Sequence, residues 1–175
     1  MANPLRGGRG RPLHPALVHF PIALYPVSLL FDGISYLVDD GNPFVKGAFA
    51  LLVVALAVSL LAVLTGFSDF LLVPAGSSTW RVAVIHMTLQ LVGSALFLAN
   101  TVLRSRDLDV TTSPIGPIVL SAVGVVLIWV GAQFGRDLVF RHAQRVEVPE
   151  QPSETLEPHP EEPPPTAQDE HPAHP

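Results

Sequence analysis

Four stretches of the chain are apolar on every face. They run from about His14 to Val38, from Phe44 to Gly66, from Trp80 to Leu103 and from Ile115 to Gly135. A hydrocarbon layer about 30 Å thick needs roughly 20 apolar residues in a helix, and each stretch is long enough. None has the polar face of a surface helix. Backbone polar groups in lipid must be satisfied within the element, so helices are the spanning structure these segments can form. Short connections, such as Asp39-Asp40-Gly41-Asn42-Pro43, make neighbours antiparallel. The pattern predicts an all-α, integral membrane, four-helix up-down-up-down bundle.

The first span carries three prolines. Pro15 suits a helix start, whereas Pro21 and Pro26 are expected to bend the span or free carbonyls inside it. Small residues mark faces where backbones can approach in lipid. Ala48, Ala55, Ser59, Ala62 and Gly66 form one such stripe in the second span, and Gly124, Gly131 and Gly135 another in the fourth. These faces serve packing within the bundle or against a second chain.

Composition then separates the chain into unlike parts. Only 14% of residues are charged, against about 25% in soluble domains. Residues 1–146 hold all ten Lys and Arg with seven Asp and no Glu, whereas residues 147–175 hold eight acids and no base. We therefore divide the chain into a basic, flexible N-terminus (1–12), a four-span domain (13–146) and an acidic, Pro-rich tail (147–175). The tail has nine prolines and almost no large apolar residue, so it is expected to be disordered. Its His159-Pro160, His171-Pro172 and His174-Pro175 pairs read as parts of a solvated tail. Basic residues near the span ends divide seven against three: Arg6, Arg9, Arg11, Arg81, Arg136, Arg141 and Arg145 oppose Lys46, Arg104 and Arg106. That asymmetry predicts both termini on the cytoplasmic side of the cell inner (plasma) membrane.

Polar groups at membrane depth are costly and therefore informative. In an up-down-up-down bundle His14, His19, His86 and His142 all fall toward one side, together with Asp69, Arg136, Asp137 and Arg141. Depth counted at about 1.5 Å per residue puts His19 roughly 12 Å beyond Arg11 and His86 roughly 7–8 Å beyond Arg81, which makes these two a candidate pair. His14 and His19 are separated by about 140° on an ideal helix. A second polar stripe, His86, Gln90, Gly93 or Ser94, Asn100 and Thr101, should face the bundle interior. Asp32, toward the opposite end, has Arg104, Lys46 or Asn100 as candidate partners in a polar clamp.

Three readings of the histidines stay open. Imidazoles on facing helices can ligate haem b, with His19 and His86 axial, His14 and His142 as supports or substitutes, and Arg136 and Arg141 pairing propionates. Alternatively His14, His19, His86 and Asp69 can hold a divalent metal such as Zn or non-haem Fe. In the third reading they cap helix ends. The absence of cysteine removes thiolate ligands, iron–sulfur ligation and cysteine nucleophiles. No H-E-x-x-H, Walker loop, nucleophile elbow or Rossmann fingerprint is present, so nothing supports hydrolysis, nucleotide binding or a nucleic-acid partner. The expected contacts are the lipid bilayer, a redox or other membrane-complex partner, and further copies of the chain. A non-catalytic scaffold or accessory subunit, docking through the Gly131/Gly135 face, is the alternative.

Three blocks resemble one family. Leu13-His14-Pro15-Ala16-Leu17-Val18-His19-Phe20-Pro21-Ile22-Ala23-Leu24, with Asp32 downstream, is similar to the opening of domain-of-unknown-function family 2231, a group of predicted bacterial four-helix membrane proteins. Gly66-Phe67-Ser68-Asp69 with His86, and Gly135-Arg136-Asp137-Leu138-Val139-Phe140-Arg141-His142, are similar to later blocks of it. The family's usual ending is Gly-Gly-x-Leu-Val-Tyr-x-x-Gly; here Arg136, Phe140 and Ala143 replace the second Gly, the Tyr and the last Gly. The resemblance implies a membrane protein without an established activity. Relatives joined to Rieske-type iron–sulfur domains turn the implication toward electron transfer.

Overall fold

The computed structural model describes residues 12–144. The expectations for the basic N-terminus and the acidic tail fall outside the described residues. Four helices account for most of the described chain: α1 (Leu13–Ile34), α2 (Asn42–Phe70), α3 (Ser78–Arg104) and α4 (Ile115–Phe140). All four are long and apolar enough to cross a membrane. The helix limits have local causes. Ser77 caps α3 by accepting from the Trp80 N–H at 3.0 Å. Pro43 sits in the first turn of α2, and Pro114 immediately precedes α4. α1 runs unbroken through Pro21 and Pro26. α2 and α4 extend past their sequence windows, so Asp69 and Arg136 lie within final helical turns rather than in loops.

Helices α1 and α2 form one close hairpin and α3 and α4 another; the two hairpins meet more lightly along α1–α4 and α2–α3. Lipid is as apolar as leucine, so packing within the bundle rests on close van der Waals contact rather than on water exclusion. Leu30, Leu60, Trp129 and Phe140 accordingly point outward, while the core is small: Tyr25, Leu52, Ala55, Phe97, Val125 and Ile128. The stripe Ala48, Ala55, Ser59 and Ala62 is buried. Gly124, Gly131 and Gly135 face side chains of α3 in the same chain.

Diagonal helices α1 and α3 are bridged only by long side chains, in three layers. In the middle layer the Tyr25 and Phe97 rings stack at 3.6 Å with an interplanar angle of 3°, and the Tyr25 hydroxyl hydrogen-bonds Ser59 Oγ at 2.9 Å.

The layer nearest the α1–α2 and α3–α4 connections is ionic. Arg104 Nη1 and Nη2 donate to Asp32 Oδ1 and Oδ2 at 2.7 and 2.5 Å, with both side chains almost wholly buried. Asn100 Oδ1 accepts from Arg104 Nε at 2.7 Å, while its amide donates to Ser121 Oγ and the Pro117 carbonyl. The Ser113 hydroxyl donates to Asp32 Oδ1 at 2.6 Å. Of the three candidate partners of Asp32, Arg104 takes the carboxylate and Asn100 supports the arginine. Lys46 instead pairs with Asp109 at 2.8 Å, and this contact holds the exposed Asp109 carboxyl below its ordinary range.

Two glycine substitutions test how tight the hairpins are. A Cβ on Gly124 would stand 2.8 Å from the Phe97 ring, which Tyr25 pins from its other face, whereas one on Gly116 meets nothing. Gly124→Ala should cost about 1–3 kcal/mol, read as a fall of several degrees in the Tm of the detergent-solubilised protein. Gly116→Ala should leave the Tm unchanged or raise it.

Candidate functional site

At the opposite end of the bundle the third α1–α3 layer is a pair of histidines. The His14 and His86 rings stand with centroids 6.2 Å apart and planes at 87°. Each ring is anchored sideways to the second helix of its own hairpin. His14 Nδ1 lies 2.8 Å from the Ala62 carbonyl, and His86 Nδ1 lies 2.8 Å from the Gly131 carbonyl. A carbonyl can only accept, so each Nδ1 carries a proton and donates it, which leaves Nε2 as the nitrogen free to meet a ligand.

Glycine makes this anchoring possible. In a helix the residue four positions on donates to the same carbonyl, and its side chain would stand where the imidazole lies. Those residues are Gly66 and Gly135. A Cβ on Gly66 would come within 2.8 Å of His14 Nδ1 and Cε1, and one on Gly135 within 2.8 Å of His86 Cε1. The two glycines therefore serve as platforms for the rings.

A cavity of about 610 Å³ opens beside the pair. All four helices line it, mostly with apolar side chains, and the polar exceptions include His14, His19, Asp69, His86, Gln90 and Arg136. The volume falls in the range of ordinary small-molecule and cofactor pockets. Gln90 is held at its wall by donating to the Ile128 carbonyl at 3.2 Å.

The placement differs from the expected pairing in one respect. His14, not His19, meets His86. His19 is exposed and contributes only to the lining of the cavity. His142 is tied to Thr79 Oγ1 at 3.0 Å, joining the end of α4 to the start of α3, and does not line the cavity. Arg136 and Arg141 both lean toward Asp137, at 4.0 and 3.6 Å; of the two, Arg136 lines the cavity. Among the described residues no three His, Cys, Asp or Glu side chains are grouped to hold a metal ion. His14, His19, His86 and Asp69 all line the cavity without forming such a group.

A family model described as a predicted membrane protein, DUF2231, matches residues 10–148. The chain belongs to the DUF2231 family. No curated protein and no solved structure matches it. The match embraces all four spans and both imidazole platforms of this DUF2231 protein. Ala143 has φ +46°, and the Gln144 N–H reaches back to the Leu138 carbonyl at 2.9 Å. This is a helix end closed by a left-handed residue, the position glycine fills without strain.

Two outcomes are expected. Ala143→Gly should stabilise the protein by about 0.5–1 kcal/mol by relieving the left-handed alanine, seen as a higher Tm in detergent. Nitrogen-15 spectra of the imidazoles should show a hydrogen-bonded Nδ1–H in both His14 and His86, and Gly66→Ala should abolish that signature for His14 alone.

Proposed function

We propose that this protein holds haem b between His14 and His86 and serves electron transfer in the plasma membrane. The observation that carries the reading is the pair of facing imidazoles, each with Nδ1–H fixed on a carbonyl. Metal-binding histidines are commonly oriented in this way, by a hydrogen bond from the nitrogen that does not bind. Haem iron already has four porphyrin nitrogens and asks the protein for two axial ligands. A catalytic or structural zinc site asks for three or four. Two histidines without a third ligand therefore favour haem over a bare divalent ion.

The cavity walls supply apolar cover, and Arg136 at the lining is the group suited to a propionate. His19 belongs to the rim in this reading, not to the axial pair. A haem held there would carry one electron at a time to a redox partner. With seven basic residues against three at the span ends, we place this end of the bundle, and both termini, on the cytoplasmic side. The accessory-subunit alternative relied on the Gly131/Gly135 face, and that face packs against α3.

The test is a reduced-minus-oxidised spectrum of the protein purified in detergent from haem-replete cells, with haem quantified chemically. A low-spin b-type band is expected in the parent and in His19→Ala, and is lost in His14→Ala and in His86→Ala. A folded parent without haem, or a band that survives both of those substitutions, would end the haem reading.

A further inference from the structure

The three layers that bridge α1 and α3 share one arithmetic. Asp32 and Arg104 are 72 residues apart, and so are Tyr25 and Phe97, and His14 and His86. The rule extends to burial. The buried residues of α1 are Pro21, Tyr25, Ser28 and Asp32. Moved by the same 72 positions they become Gly93, Phe97, Asn100 and Arg104, which with Ala83 are the buried residues of α3.

The second helices correspond as well, at their own constant offset. Leu52, Ala55, Ser59 and Ala62 are buried in α2 where Ser121, Gly124, Ile128 and Gly131 are buried in α4. The ring anchors repeat in the same register: His14 on the Ala62 carbonyl over Gly66, and His86 on the Gly131 carbonyl over Gly135. Because α1 and α3 run in the same direction, the relation is a parallel repeat with its axis along the bundle. Each of the three layers then pairs a residue with its own counterpart across that axis.

We propose that this DUF2231 chain is a fused dimer, two copies of one helical-hairpin unit, and that Asp32 and Arg104 are the lock that makes each hairpin choose the other. In a strictly symmetric pair the equivalent positions would carry like charges, facing each other at hydrogen-bonding distance in a medium without water. Divergence to one carboxylate and one guanidinium turns that repulsion into a two-pronged bond. The same divergence excludes pairing of either hairpin with its own kind, a like-charge penalty used for partner specificity. The paired imidazoles lie at the axis, so the ligand site is built equally by both copies.

Exchange of whole layers between the hairpins, in the full chain, tests this without reference to any cofactor. The polar layer is exchanged by S28N/D32R together with N100S/R104D. The half exchanges S28N/D32R and N100S/R104D set two cations or two anions face to face. The middle layer is exchanged by Y25F/S59I together with F97Y/I128S, which moves the Tyr–Ser hydrogen bond to the other hairpin. Tm and monodispersity in detergent are read for each. Both half exchanges of the polar layer should fall by roughly 10 °C or more, or fail to give monodisperse protein. A complete exchange should return to within about 5 °C of the parent. The proposal stands if at least one complete exchange does so while the polar half exchanges fall; it is overturned if neither complete exchange recovers, or if the polar half exchanges melt with the parent.

Discussion

A carboxylate and a guanidinium in an apolar medium must find each other, and in this bundle that requirement joins the two hairpins at one end. Asp32 and Arg104 are almost fully buried. An ion left unpaired there would be far costlier than the pair. Asn100, Ser113 and Ser35 are drawn in because the pair has more donors and lone pairs than it can satisfy alone. Ser113 donates to the carboxylate, and its backbone N–H donates to Ser35 Oγ at 3.1 Å. The α3–α4 connection is thereby laid across the end of α1. The α3–α4 connection is held further by the Asn42 amide, which donates to the Leu108 and Val110 carbonyls, and by Lys46 on Asp109.

At the other end the same diagonal relation is made from two imidazoles beside a cavity. The imidazoles are each satisfied on one nitrogen by a carbonyl of the neighbouring helix, and both rings line the cavity. One end is thus closed and saturated, and the other is anchored yet chemically available. The stacked Tyr25 and Phe97 separate them.

The glycines connect packing to chemistry. Gly66 and Gly135 let an imidazole lie over a helix backbone and reach a carbonyl that side chains ordinarily shield. Gly124 gives the Phe97 ring its place against Tyr25. In a soluble protein, small residues at such sites would forgo hydrophobic gain. In lipid there is little of that gain to lose, and close approach is what holds helices together.

The sequence by itself determined the four spans, their antiparallel order, membrane residence and family membership, because twenty-residue apolar runs and short connections leave the chain few other ways to satisfy its backbone. It also determined that Asp32 needed a partner and that the histidines share one side. The choice of Arg104 over Lys46, and of His14 over His19 as the mate of His86, came only with the tertiary structure. Depth counted from Arg11 favoured His19, and only the ring contact across the bundle decided for His14. The 72-residue repeat was present in the letters but hidden, since Asp against Arg and Tyr against Phe do not look like copies until a shared axis places them face to face.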